Sequence, residues 1–241
     1  MFYFVRFDGD LYFQKIFNSP QMREIGYEIL FRPRKIINRS FFWSKIHRNN
    51  LEEKVDFTIL NKLLTYLSTM HLPRHKTISI NIHHVSVLDD YNQKLIYKIA
   101  QYLELNECTL CLELLENGAI PNYYLLKKSL STLKKQCTNL KIHLDDFSEG
   151  LNNIGIMYYL GGLIDGIKIS HSTMSSVKHK NLIDFCIYFS KKFDIGSITF
   201  EGIDEAAKIA TVKGLDVAQI SLQGFLLHKP APITELNIES S

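Results

Sequence analysis

The stretch "KIHLDDFSEG" (residues 141–150) begins as an alternating, strand-like run and stops at two adjacent aspartates, Asp145 and Asp146. Neighbouring carboxylates repel, so a positive partner is expected beside them. Taken alone, the pair fits an acidic turn as well as a metal position. The rest of the chain bears on the choice, because the same arrangement recurs. The runs "GYEILFR" (26–32), "TISINIH" (77–83), "TLCLELLE" (109–116), "GIKIS" (166–170), "SITFEGI" (197–203) and "VAQISLQG" (217–224) have strand length and are rich in β-branched residues. An N-terminal "FYFVRF" (2–7) brings the expected strands to eight. Segments with apolar residues three and four apart lie between them, over 55–70, 91–103, 123–136 and 181–193, which is the spacing of amphipathic helices. Strands alternating with helices predict parallel βαβ units, and eight units in 241 residues fit an α/β TIM-type (β/α)8 barrel. An open doubly wound sheet is the alternative architecture.

Composition narrows the class. The formal net charge is +3 with both signs mixed along the chain, too weak to argue for nucleic-acid or membrane binding. No apolar run approaches the roughly 20 residues of a membrane span. Arg6, Asp8 and Asp10 interrupt the N-terminal apolar run, so a signal peptide is not expected and the cytoplasm is. Cys108 and Cys111 form a C-x-x-C, but no second Cys/His pair stands at zinc spacing, and an odd separation on a strand sends the two thiols to opposite faces. Reduced core cysteines are expected. One domain is read over residues 1–241, least regular over about 34–54 and ending in a loose tail over about 236–241.

The polar residues fall at one place in each unit. Glu28 lies in the first of the quoted runs and Asn81 near the end of the second. Glu113 and Glu116 close the third, Asp145 and Asp146 the fourth. Lys168, Glu201 and Gln223 follow in the last three. Asn81, Glu113 and Asp145 recur at a spacing of 32 residues, one βα unit each. In a barrel all of these collect at the C-terminal mouth, where barrel enzymes do their chemistry. So many acids and amides need a cation, and hard oxygen donors suit Mg²⁺ or Mn²⁺. His83 and His84, adjoining on a strand, are expected at the rim or in a loop.

These segments, in this order, resemble the EAL domain family, cyclic-di-GMP phosphodiesterases and their non-enzymatic relatives, from about Gln14 to Pro230. "GYEILFR" carries the naming motif as E-x-L, with Glu28 and, four residues on, Arg32. "SINIHHVS" is similar to the asparagine segment, "LELLE" to the next acidic motif, and "HLDDFSEG" to the paired-aspartate loop. "IKIS", "FEGID" and "LQGFLLHKP" supply Lys168, Glu201 and Gln223. The resemblance implies a single-domain modified TIM barrel. It implies that Glu28, Asn81, Glu113, Asp145 and Asp146 hold Mg²⁺ or Mn²⁺, that Lys168 and Glu201 orient or activate the attacking water, and that Arg32 and Gln223 contact the dinucleotide.

Departures from the family pattern surround this set. Ser148-Glu149-Gly150 replaces Gly-Thr-Gly or Gly-Ser-Gly, so the first glycine is lost and a carboxylate stands in place of a small hydroxyl. The resemblance implies that Glu116 braces that loop, where it would now meet Glu149. Ser170 replaces an aspartate, Asp204 a glutamate, and Phe200 a small residue. Lys15 replaces a proline and Pro33 an aromatic. Metal sites depend on residues behind the ligands, so these changes favour a catalytically impaired regulator that grips a protein, such as a transcription regulator of flagella or pili. The intact ligand set favours an active phosphodiesterase. A receptor that binds cyclic di-GMP without cleaving it is the third possibility.

Overall fold

The computed structural model describes residues 7–19, 21–34, 38–69, 72–120, 122–170, 180–212, 215 and 219–236, and the statements that follow concern these. β1 (Gly9–Ser19) and β2 (Glu24–Pro33) are joined by four residues, a connection that only an antiparallel pair can use. Gln14 faces Glu28 across this pair and Tyr12 faces Leu30. From β2 onward the strands run parallel. They are β3 (Thr77–Ile82), β4 (Thr109–Leu114), β5 (Leu140–Leu144), β6 (Gly166–Ile169), β7 (Ser197–Phe200) and β8 (Gln219–Leu222). β8 then pairs antiparallel with β1, which closes the ring, and a two-residue β9 (Ala231–Pro232) caps β1. The result is a barrel of seven parallel strands and one antiparallel strand. It agrees with the expected modified TIM barrel and rules out the open sheet.

The expected set of eight parallel units needs correction at its first strand. Residues 2–6 of the predicted strand over 2–7 lie outside the described residues. The closing strand is β1, whose Leu11, Phe13 and Ile16 are buried. The region over 34–54 also differs from the expectation. It holds α1 (Arg39–Arg48), started by the Asn38 side chain accepting from the Phe41 amide, and the first turn of α2 (Glu52–Leu67). Phe42 and Ile46, four apart, are its buried pair, too short a stripe to stand out in sequence. Leu236, assigned to the tail, is buried, whereas 237–241 lie outside the described residues.

The remaining helices are α3 (Asp90–Leu105), α4 (Tyr123–Gln136), α5 (Ile154–Leu160), α6 (Lys180–Lys192) and α7 (Ala206–Val212). α3 and α4 start on side-chain caps from Asp89 and Asn122, and their leucine and isoleucine stripes are buried. On β4 the alternation sorts chemistry by face. Leu110, Leu112 and Leu114 join the apolar layer, while Cys111 and Glu113 occupy the opposite face, which points into the barrel. All four cysteines are free and buried, as expected. Among the described residues no helix is long and apolar enough to cross a membrane.

Closure through β1 puts Phe13 against Tyr27 and His228, with ring centroids at 5.7 and 5.2 Å. Phe13→Ala should therefore destabilise the protein by about 3–5 kcal/mol and lower Tm by roughly 10 °C in thermal melts. A loss under about 1 kcal/mol would show that β1 does not close the barrel.

Candidate active site

The inward residues at the strand ends meet around one ammonium. Lys168, from β6, is 1% exposed, and its Nζ lies 2.8 Å from Glu113, 3.0 Å from Asp145, 2.6 Å from Glu201 and 3.6 Å from Glu28. Glu28 is fixed from two further sides. The Asn81 amide donates to one of its oxygens at 2.6 Å and the Gln223 amide to the other at 2.5 Å. Gln223 also donates to Gln14 at 3.1 Å, which in turn donates to the carbonyl of His228. The structure thus brings together Glu28, Asn81, Glu113, Asp145, Lys168, Glu201 and Gln223. Asp146 and Glu116 stand beside them.

Charge is unbalanced here. One ammonium faces four carboxylates, and buried charge is costly without pairing. Burial pushes the Glu113 carboxyl up to about 8, Lys168 opposing and Glu28 adding. Burial likewise pushes Asp146 up to about 7, helped by Asp145 and Glu116. Glu201 is held well above the usual carboxylate range by burial, against the pull of Lys168. Burial works to strip Lys168 of its proton, but Asp145, Glu113, Glu201 and Glu28 outweigh it and keep the amine charged. The donor set fits a divalent cation. Oxygens of Asp145, Asp146 and Glu201 lie within 4.8 Å of one another, and Asn81 Oδ1 is buried without a donor among the described residues. Every candidate ligand is an oxygen, as Mg²⁺ and Mn²⁺ prefer.

Two cavities of about 480 and 430 Å³ open on either side of this cluster. They share Leu30, Arg32 and Asp145, so Arg32 stands between them. Trp43 and His47 from α1 line the first, and Phe225, after β8, lines the second. Together they make a bipartite cleft with the acidic cluster at its waist.

The loop after β5 is closed despite its departures. The Phe147 amide donates to the Lys168 carbonyl at 2.8 Å, Ser148 to Asn152 at 2.8 Å, and Leu151 to the Glu116 carbonyl at 2.7 Å. Glu116 therefore braces the loop through its backbone, and burial, then Asp145 and Glu149, raises its carboxyl pKa. Asn152 is fully buried and its amide ties the carbonyls of Leu114 and Asp145, each at 2.5 Å. Ser148 has φ 84°, in the left-handed region that its lost glycine would adopt freely. Gly150 has φ 47°, and a Cβ there would overlap the Glu116 carbonyl. Glu149 and Ser170, two separate departures in sequence, are hydrogen-bonded to each other, the serine Oγ donating at 2.9 Å.

His83 and His84 follow the end of β3 in a loop, as expected, but both are 1% exposed rather than on an open rim. Asp56, on the apolar stripe of α2, accepts from the His83 amide at 2.8 Å and contacts its Nδ1 at 3.0 Å. Burial would lower the pKa of His83, but Asp56 outweighs it and the net shift is upward. Burial takes His84 down to about 4, and a charged His83 would add to that. Asp56, Gln14 and Asn152 were not among the residues expected at the mouth. Only Asp56 left a signal in sequence, as an acid inside an otherwise apolar helical stripe.

Titration of the mouth ties the stability of the metal-free protein to pH. Glu113 and Asp146 titrate near 7–8 when folded and near 4 when unfolded, so the native state binds more protons between these values. Its stability must fall as pH rises. Melts should show Tm dropping by several degrees from pH 6 to pH 9, with Mn²⁺ reversing the drop; a Tm that rises over this range would contradict the charge assignment. Ser148→Gly should raise Tm by about 2–4 °C, corresponding to about 1 kcal/mol of relieved backbone strain. A lower Tm would mean that the serine side chain itself holds the loop.

Comparison with known proteins agrees with this geometry. The family model described as "EAL domain" matches residues 6–230. The cyclic di-GMP phosphodiesterase PdeA of Borreliella burgdorferi is 29% identical over 231 residues, covering 92% of this chain and 34% of that protein. The chain thus spans about a third of this relative's length. An EAL domain protein from Listeria monocytogenes superposes with a TM-score of 0.70 at 20% identity, covering 95% of this chain and 91% of that one. A standalone EAL protein from Vibrio cholerae, solved with c-di-GMP, gives 0.75 at 19% identity over 94% of each chain. BlrP1 of Klebsiella pneumoniae, in a manganese and cyclic-di-GMP complex, gives 0.72 at 17% identity over 92% and 56%. With its acidic mouth, closed barrel and family match over nearly its whole length, the chain belongs to the EAL domain family.

Proposed function

We propose that this protein is a Mg²⁺- or Mn²⁺-dependent phosphodiesterase that opens one ring phosphodiester of cyclic di-GMP to give the linear dinucleotide. The observation that carries this is the oxygen-only cluster around Lys168 at the waist of a two-lobed cleft. Glu28, Asn81, Glu113, Asp145 and Asp146 would hold the cation, which when bound supplies Lewis-acid charge to the phosphodiester oxygens. Lys168 stays protonated and fixes Glu113, Asp145 and Glu201 in one array. Glu201 takes a proton from the attacking water. The water oxygen bonds phosphorus, one P–O bond breaks, and the departing ribose oxygen takes up the proton that Glu201 removed, ending as a hydroxyl. Arg32, between the two lobes, meets a phosphate. We assign the Gln223 amide nitrogen to fixing Glu28, since it donates to Glu28 and Gln14.

The named activity of PdeA and the ligands in the Vibrio and Klebsiella structures support the reading. The alternative, an impaired regulator that grips a flagellar or pilus transcription regulator, took its motive from the altered loop. The Glu149–Ser170 hydrogen bond weakens that motive, because two of the alterations satisfy each other.

Purified protein with cyclic di-GMP and Mn²⁺ should yield the linear dinucleotide. Glu28→Ala and Lys168→Ala should each lower turnover by more than about 100-fold, as should chelation of the metal. A wild-type protein that gives no product with either Mg²⁺ or Mn²⁺ would overturn this reading and favour the regulator. In that case, binding of cyclic di-GMP with Ca²⁺, measured by calorimetry, would separate a receptor from an inert scaffold.

A further inference from the structure

We infer that Glu149 and Ser170 form a latch that holds the loop over 145–152 against the end of β6 and so positions Asp145 and Asp146 relative to Lys168. The inference deepens the phosphodiesterase reading and rests on it. Both residues are positioning residues.

The geometry is specific. Ser170 follows β6 directly, two residues after Lys168, and is 7% exposed. A buried hydroxyl needs an acceptor, and the Glu149 carboxylate provides one at 2.9 Å. A hydroxyl donating to a carboxylate is the stronger, charge-assisted kind of hydrogen bond. A second tie lies alongside, the Phe147 amide donating to the Lys168 carbonyl at 2.8 Å. Besides the Asp145–Lys168 ion pair at 3.0 Å, the part of the loop beyond the aspartates is therefore clamped to residues 168–170 once by backbone and once by side chain. Asp145 and Asp146 sit immediately before the first clamp, so slack in the loop would displace the aspartates rather than the strand. The latch also draws one oxygen of Glu149 to Ser170, although Glu116 and the aspartate pair are other acids near this loop.

The bond has a donor on one side and an acceptor on the other, and its ends are interchangeable. A hydroxyl at position 149 facing a carboxylate at position 170 would make the same connection in reverse. These are the two positions at which the sequence exchanges the two groups relative to the pattern it resembles. The exchange keeps the connection and reverses its direction.

The test is a thermodynamic cycle on the full chain with Glu149→Ala, Ser170→Ala, the double alanine variant, and the reversed pair Glu149→Thr with Ser170→Asp. Free Mn²⁺ is followed by electron paramagnetic resonance, which needs no turnover, and kcat and KM for cyclic di-GMP are measured beside it. Each single variant should weaken Mn²⁺ binding and lower kcat by about 10-fold, with KM changed less than about threefold. The double variant should be no worse than either single, and the reversed pair should return to within about threefold of the parent. Singles that bind Mn²⁺ like the parent, losses that multiply in the double, or a reversed pair no better than the double would each overturn the latch. If the parent lacks turnover while the Mn²⁺ affinities are coupled, the latch stands and the phosphodiesterase reading falls. If the parent turns over and the affinities are not coupled, the phosphodiesterase reading stands and the latch falls.

Discussion

The structure is organised around a lysine ammonium buried among carboxylates. Lys168 is 1% exposed and still charged, because four acids from four different strand ends converge on it. Neither side of this arrangement could be buried alone. The requirement reaches outward. Glu28 must be oriented, so Asn81 and Gln223 hold its two oxygens, Gln14 accepts from Gln223, and the carbonyl of His228 accepts from Gln14 in turn. Asp145 must be oriented, so Asn152 is fully buried to tie its carbonyl. Much of what is polar inside the mouth serves this one charge problem.

A single lysine leaves negative charge over, and the divalent cation of the proposed reaction would take up that excess. Carboxyls raised to about 7 and 8 mark where that charge is poorly compensated. Protons, or a divalent cation, complete the balance. Metal affinity, proton binding and stability are therefore linked at this site.

Much of this was legible in sequence. The 32-residue spacing of Asn81, Glu113 and Asp145 reports the βα repeat, because equivalent positions on successive strands must stand at one height in the barrel. The acidic mouth followed from that height and the residue types. The apolar runs place a first strand over 2–7 and none at Gly9–Ser19, although the short link from Ser19 to Glu24 allows only an antiparallel pair there. α1 leaves little trace in sequence because its buried stripe is two residues, Phe42 and Ile46. The histidines do lie in the loop after β3, but their burial has no local signal, because sequence spacing does not show that an acid from α2 waits behind His83. The pairing of Glu149 with Ser170 joins residues 21 apart across two strands, and no local pattern announces such a contact.

The proposed reaction turns on whether the carboxylates around Lys168 are a divalent-metal site. The most direct measurement is anomalous diffraction at the manganese edge from crystals grown with Mn²⁺. An anomalous peak is expected, ligated by oxygens of Glu28, Asn81, Glu113, Asp145 and Asp146 beside the Lys168 ammonium. A well-ordered mouth with no anomalous density, in which Lys168 alone neutralises the acids, would contradict it.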